Sequence, residues 1–250
     1  MAAKLVTVFR DPARPGRSSH RGVVVLFDEV DGRPVALLDA EPLTALRTAA
    51  TATVAMRALA RPDARRIAVI GTGVQAAAQL AVLAALDTPA EAVVAGRDAD
   101  RAHALAATCP GVTGAPSIEA AVRGAEVVLC CTGARTPVFD PAWLRPGAHV
   151  SSIGGSDGPE LDAAVLRGGS LFVEWPGAVT CPPPAGAHEL QGLAEDDAVL
   201  LGAVLSGRHP GRRSDDELTV FKSTGHAALD VAAAHVAAAT ARPGPTDRQS

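Results

Sequence analysis

A basic excess, a long apolar run and paired cysteines are all missing from these 250 residues, and each absence narrows the function. Lys and Arg number 23 against 27 Asp and Glu, a formal net charge of −4. Without a basic surplus the chain has no electrostatic footprint for nucleic acid. No stretch is apolar for long enough to cross a bilayer, and the first residues hold no apolar signal core. The four cysteines, Cys109, Cys130, Cys131 and Cys181, make neither a C-x-x-C pair nor a Cys/His cluster with zinc-like spacing. Adjacent Cys130 and Cys131 sit in the apolar run AEVVLCC, where cysteines pack as small hydrophobes. The seven histidines lack i, i+4 pairing and a nearby carboxylate cluster, which argues against a metal. A reduced, cytoplasmic protein with no metal, membrane or nucleic-acid partner is expected.

What is present is a chain that is 48% hydrophobic, enough for one or two domains with a substantial core. Residues 4–39 read as β: KLVTVF alternates, and GVVVLF and PVALLDA flank the hairpin signal Asp31-Gly32. A Pro/Gly/Arg-rich loop, RDPARPGRSSH, separates the first two strands. EPLTALRTAATATVAMRALA is helical and closes at Pro62. From Arg66 onward strands and helices alternate: RIAVIG, VQAAAQLAVLAAL, EAVVAG, DADRAHALAAT, SIEAAVRG with Ser117 as N-cap, AEVVLCCTG, AHVSSIG and SLFVE. That rhythm predicts an α/β fold, a Rossmann-type doubly wound parallel sheet with helices on both faces. WPGAVTCPPPAGAHEL reads as a long Pro-rich loop and DDAVLLGAVLSG as a helix. LTVFKSTG leads into a final helix, HAALDVAAAHVAAAT. Residues 241–250 are expected to be a disordered tail.

The stretch IAVIGTGVQAAAQ holds Gly71-x-Gly73-x-x-Ala76 directly after a strand and before a helix. Gly71 permits the tight turn, Gly73 lets a pyrophosphate approach the backbone, and small Ala76 lets helix and strand pack closely. Free N–H groups at the helix start favour an anion. Alone the match is weak, but the β–α units after it make it a nucleotide site. Thr72, Val74 and Gln75 complete the candidate set in the turn, with Thr132 and Gly154 after two later strands. The acid expected after the next strand, to hold a ribose hydroxyl, is replaced by Gly96, and Arg97 follows. A guanidinium without that acid favours a 2′-phosphate, hence NADP over NAD, while Asp98 is either the displaced acid or a helix cap.

LTALRTAATATVAMRALA, IGTGVQAAAQ, GAHVSSIGG, ELD and VFKSTGHAALD occur in the order found in the ornithine cyclodeaminase/mu-crystallin family, and the chain resembles that family over residues 4–240. The resemblance implies a homodimer of two-domain subunits. A substrate and dimerisation domain, α+β, is expected from residues 1–60 and 218–240, and a dinucleotide-binding domain from 61–217. It also implies an NAD(P)-dependent oxidoreductase passing hydride to or from the α-carbon of a small amino or imino acid, as in ornithine cyclodeamination or ketimine reduction. Such chemistry needs a cation for the carboxylate, a proton-handling group at nitrogen and a dry site.

The resemblance places Arg47 on the substrate carboxylate, where a guanidinium fork binds bidentately; a solvated helix arginine is the ordinary alternative. Lys4 matches the family's active-site lysine, and Ser19 a hydroxyl near the carboxylate, interchangeable with Ser18. Ser156 stands where cyclising relatives have an aspartate, so Asp157 either takes over that role or marks only a turn. The FKSTG segment is brought near the nicotinamide in relatives, so Lys222 is a cofactor candidate or a solvated lysine. Relatives also carry several tens of residues before the lysine, including a second arginine. The substrate domain is therefore expected to be incomplete, through a real N-terminal shortening or a misplaced start. A catalytically silent protein that binds NADP(H) or a small ligand is the competing expectation.

Overall fold

The computed structural model describes residues 1–8, 20–86, 91–155 and 157–241. Three strands open the chain, β1 (Ala2–Val8), β2 (His20–Phe27) and β3 (Pro34–Asp39), followed by α1 (Ala40–Leu59). Then β4 (Arg66–Ile70), α2 (Val74–Ala85), β5 (Glu91–Ala95) and α3 (Ala99–Ala107) alternate. Next come β6 (Val112–Gly114), α4 (Ile118–Gly124), β7 (Val127–Cys130) and β8 (His149–Ser152). After α5 (Ala163–Gly168), β9 (Ser170–Val173) and α6 (Gly177–Thr180) the order is β10 (Ala198–Leu200), α7 (Leu201–Leu205), β11 (Thr219–Lys222) and α8 (Ala227–Ala241). The chain divides into two compact units, Met1–Arg47 with His226–Ser250, and Thr48–Gly225. The sequence reading draws these boundaries at 60/61 and 217/218. In the structure one division falls inside α1, and β11 is hydrogen-bonded into the large sheet of the second unit.

In the first unit the strands form an antiparallel sheet in the order β1-β2-β3. Asp28 and Gly32, the latter with φ +74°, close the β2–β3 turn, as the Asp-Gly signal predicts. Alternation then sorts the side chains by face. Val24 and Leu26 turn inward with Ala2, Val6, Ala36 and Leu38, packing with Leu43 of α1 and Ala234 of α8. Lys4 is paired with Val24, so it lies on this inner face, whereas Leu5 opposite Val23 lies on the outer one.

The second unit is an eight-stranded parallel sheet, order β10-β9-β11-β8-β7-β4-β5-β6. From β4 the chain adds β5 and β6 on one side and β7 and β8 on the other, so the strand order reverses between β4 and β7. Both faces are covered. Ala68, Ile70, Val128 and Cys130 join one core with Val122 and Val165, while Ile67, Val69, Val127 and Leu129 join another with Ala76 and Leu80. Cys130 and Cys131 are free thiols on opposite faces, and burial pushes both well above the ordinary thiol range. Ser117 caps α4 by accepting from Ala120 N at 3.0 Å.

Three local expectations change. Where periodicity predicts a helix over 196–207, Ala198–Leu200 form an edge strand on β9 and only Leu201–Leu205 are helical. Parallel pairing there outweighs helical propensity. The Pro-rich run contains a short helix, Gly177–Thr180, whose Ala178 and Val179 are buried. Val112–Gly114 add a strand that the sequence pattern does not reveal. In the expected tail, Ala241 still ends α8, and 242–250 lie outside the described residues.

His149 opens β8 fully buried, its Nδ1 2.9 Å from Thr219 Oγ1 and its Nε2 2.9 Å from Ser151 Oγ. Arg212 donates to Thr219 Oγ1 and to the carbonyls of Ala148 and Leu59. Burial, and then this guanidinium, hold the His149 pKa down at about 3. The imidazole is therefore neutral in the fold while the unfolded chain protonates it near pH 6.5, so stability is lost as pH falls from 6.5 toward 3. The slope from this group approaches about 1.4 kcal/mol per pH unit. Urea unfolding across that range should show a shallower pH dependence for His149→Gln than for the parent; equal slopes would refute the assignment.

Candidate active site

In the first unit three charged side chains meet. Lys4 Nζ donates to Asp230 Oδ1 at 2.9 Å and to Thr44 Oγ1 at 2.7 Å. Arg47 Nε donates to the same Asp230 oxygen at 3.1 Å. The side chains are 19%, 12% and 11% exposed for Lys4, Arg47 and Asp230. The sheet aims Lys4 inward, α1 presents Thr44 and Arg47 one turn apart, and α8 supplies Asp230. Among the described residues, two cations meet one carboxylate here, with little water around them. Such a cluster is suited to one small anion, and a carboxylate matches the guanidinium fork. Ser18 and Ser19 lie outside the described residues.

In the second unit Gly71 has φ +130°, and an added Cβ would sit 2.5 Å from the Cys131 carbonyl oxygen. Only glycine fits this turn. Gly73 precedes α2 and has open space where a Cβ would point. Ala76 is fully buried against the strands. Among the described residues, Gln75 Oε1 is buried with no hydrogen-bond partner. An open helix start, a forced glycine turn and an unpaired amide oxygen at the strand-order reversal together fit a dinucleotide. Thr72 and Val74 lie in this same turn, half-buried. Asp98 caps α3 by accepting from Arg101 N at 3.2 Å, and Arg97 is exposed just after β5. A Cβ at Gly96 would lie 2.8 Å from Thr72 Cγ2, so an acid is disfavoured there.

The strand ends beside this turn are tied by buried carboxylates. Glu160 Oε1 accepts from Thr132 N and Oγ1, and its Oε2 from Ser152 Oγ at 2.7 Å and Gly154 N at 2.8 Å. Lys222 is fully buried, not solvated. Its ammonium donates to Ser152 Oγ at 2.6 Å and Gly154 O at 2.8 Å and is ion-paired with Glu189 Oε1 at 2.8 Å. A hydroxyl, a carbonyl and a carboxylate of the protein thus surround the ammonium. Glu174 Oε1 accepts from Ser223 Oγ and from the amides of Thr224 and Gly225. Asp157 is partly exposed two residues beyond Gly155, and Ser156 lies outside the described residues. Among the described residues no three His, Cys, Asp or Glu side chains converge as a metal site, and no helix is long and apolar enough to cross a membrane.

A family model, that of the ornithine cyclodeaminase/mu-crystallin family, matches residues 1–243. The chain belongs to this family. Within the ornithine cyclodeaminase/mu-crystallin family it is 33% identical to the ketimine reductase mu-crystallin of Mus musculus, over 94% of this chain and 74% of that protein. It is 34% identical to a Δ1-pyrroline-2-carboxylate reductase of Paracoccus denitrificans, over 92% of this chain and 76% of that protein. Among solved structures, the Δ1-pyrroline-2-carboxylate reductase of Thermococcus litoralis, in complex with NADH and L-proline, superposes with a TM-score of 0.84. It is 28% identical, with 96% of this chain and 77% of that one covered.

Sequence reasoning misses Asp230, Glu160, Glu174 and Glu189. Asp230 and Glu160 fall inside the family runs VFKSTGHAALD and ELD, so the runs point to them without indicating their partners. Glu174 and Glu189 flank the Pro-rich stretch, and no spacing links them to FKSTG. Gly71→Ala places a Cβ in the Cys131 carbonyl and a non-glycine at positive φ, so stability should fall by more than about 1 kcal/mol in urea unfolding. An unchanged midpoint would contradict the turn geometry.

Proposed function

We propose that this chain is a nicotinamide-dependent reductase of a small imino acid bearing a carboxylate on the C=N carbon, with cyclic ketimines as its substrate class. The Lys4–Asp230–Arg47 cluster carries this reading, because it gathers an ammonium and a guanidinium, the donor types that suit a carboxylate ligand. Relatives named ketimine reductase and Δ1-pyrroline-2-carboxylate reductase support it. Arg47 binds the carboxylate through its fork, Lys4 adds a second charged hydrogen bond, and Asp230 keeps both side chains extended toward it. A bound nicotinamide supplies hydride to the carbon alpha to the carboxylate. On the family resemblance alone, Lys4 is a candidate for the proton that the nitrogen takes up, and so, separately, is Asp157. Ser156 in place of the acid expected for a diamine favours reduction over cyclising deamination. Ser19 is assigned to the substrate carboxylate on the resemblance alone.

Gly71, Thr72, Gly73, Val74 and Gln75 hold the pyrophosphate side of the cofactor, with Thr132 and Gly154 beside them. Gly96, exposed Arg97 and the use of Asp98 as a cap support NADP over NAD. The same reading includes a homodimer: Leu5 and Leu37, 73% and 70% exposed, lie with Val23 and Val35 on the outer face of the three-stranded sheet. Four free thiols suit a reducing cytoplasm. A second reading, a silent binding protein, draws on the fact that Asp230 already supplies an internal carboxylate to both cations.

With NADPH and Δ1-pyrroline-2-carboxylate or its six-membered homologue, absorbance at about 340 nm should fall. Arg47→Ala should raise the imine KM roughly 10- to 100-fold while leaving the cofactor Kd unchanged. Absence of turnover with every ketimine would favour the silent reading. Arg97→Ala should lower the NADPH-to-NADH ratio of kcat/KM about tenfold; an unchanged ratio would remove Arg97 from the phosphate.

A further inference from the structure

Glu160, Lys222 and Glu189 form one closed network with Ser152 at the C-terminal edge of the large sheet, and the Lys222–Glu189 pair has no role in the proposed chemistry. Glu160 and Glu189 carry two formal negative charges against the single positive charge of Lys222, all three side chains 0–2% exposed. Links run from Thr132 to Glu160, from Glu160 to Ser152, from Ser152 to Lys222 and from Lys222 to Glu189. Glu189 Oε1 also receives the backbone N–H of Glu160 at 3.3 Å, which closes the ring. Its other oxygen, Oε2, is buried without a partner among the described residues.

That oxygen and the ammonium lie against one residue. A Cβ on Gly155, whose φ is +92°, would be 2.7 Å from Lys222 Nζ and 2.8 Å from Glu189 Oε2. The ion pair is therefore packed onto the Gly155 backbone, while Lys222 holds the carbonyl of Gly154 and Glu160 holds its amide. Gly154 in turn abuts the Thr132 carbonyl, 2.5 Å from where its Cβ would be, and Gly71 abuts the Cys131 carbonyl in the same way. A continuous line of close contacts thus runs from the ion pair through Gly154 and the 131–132 peptide to the glycine turn that receives the pyrophosphate.

We infer that Lys222 and Glu189 are positioning residues for the cofactor and for the loop that carries Asp157: the buried pair fixes the Gly154–Gly155 backbone. A buried ion pair is a poor source of stability, since well-packed apolar residues of equal volume do as well or better. Its value here is directional, because each donor and acceptor fixes one atom of a turn that has no side chains of its own. The inference rests on the reductase reading, and its test includes cofactor binding so that the two can fail separately.

The test compares the full chain with Lys222→Met/Glu189→Leu, which removes both charges together, and with Glu189→Gln, which keeps an oxygen for the ammonium. The double variant should unfold near the parent temperature, yet bind NADPH about tenfold more weakly by fluorescence titration and show kcat reduced about tenfold at unchanged imine KM. Glu189→Gln should stay within a few-fold of the parent in both. A folded double variant with parental Kd and kcat would overturn the inference. Should the double variant fail to fold, Ser152→Ala removes one of the three oxygens on the ammonium; several-fold weaker NADPH binding supports the inference, and parental binding overturns it. If the parent binds NADPH but reduces no ketimine, the reductase reading falls and the Kd comparison alone decides; a parent that does not bind NADPH overturns both.

Discussion

A single buried carboxylate, Glu160, accepts hydrogen bonds from Thr132 beyond β7 and from Ser152 and Gly154 at the end of β8. Parallel strands leave their last backbone groups unpaired where the loops begin, and groups buried without partners are costly. Glu160 answers that need with four accepted bonds in one place. Because the strand order reverses between β4 and β7, this is also the edge where a ligand crevice forms in an open α/β sheet. The constraint that satisfies the strand ends is therefore the one that shapes the candidate cofactor site. Glu174 repeats the device beside β11, gathering Ser223, Thr224 and Gly225.

The first unit solves a different electrostatic problem. Lys4 and Arg47 are mostly withdrawn from water, and two like charges held together repel. Asp230 makes the pair tolerable by accepting from both. Thr44 fixes the ammonium from the helix side, its own hydroxyl tied to the Ala40 carbonyl. A carboxylate ligand would be met by groups already in position, which lowers the ordering cost of binding.

The elements legible in the sequence are those set by local pattern. The β2–β3 hairpin follows from Asp31-Gly32, the end of α1 from Pro62, and the Gly71 turn from the strand and helix around it. Helix 196–207 fails as an expectation because Ala198–Leu200 find a partner strand some thirty residues upstream, which no local window contains. The site is divided along the same line. Arg47, Lys4 and the glycines stand out by type and family motif, whereas Asp230 reaches Lys4 across 226 positions of sequence and is invisible to spacing.

By itself the sequence determines which residues can bend, bury or carry charge: glycine where φ is positive at Gly71, alternation that turns Lys4 to the inner face, and a missing acid at Gly96. Each is a property of one residue and its near neighbours, so the string of letters contains it. Only the tertiary structure decides which charges meet. Lys222 reads as a cofactor candidate or a solvated lysine until β11 is seen pairing with β8 and β9, which buries it beside Glu189. Burial then changes what the residue does, because an ammonium removed from water must have each of its donors satisfied by the protein, and those partners come from segments that only folding brings together.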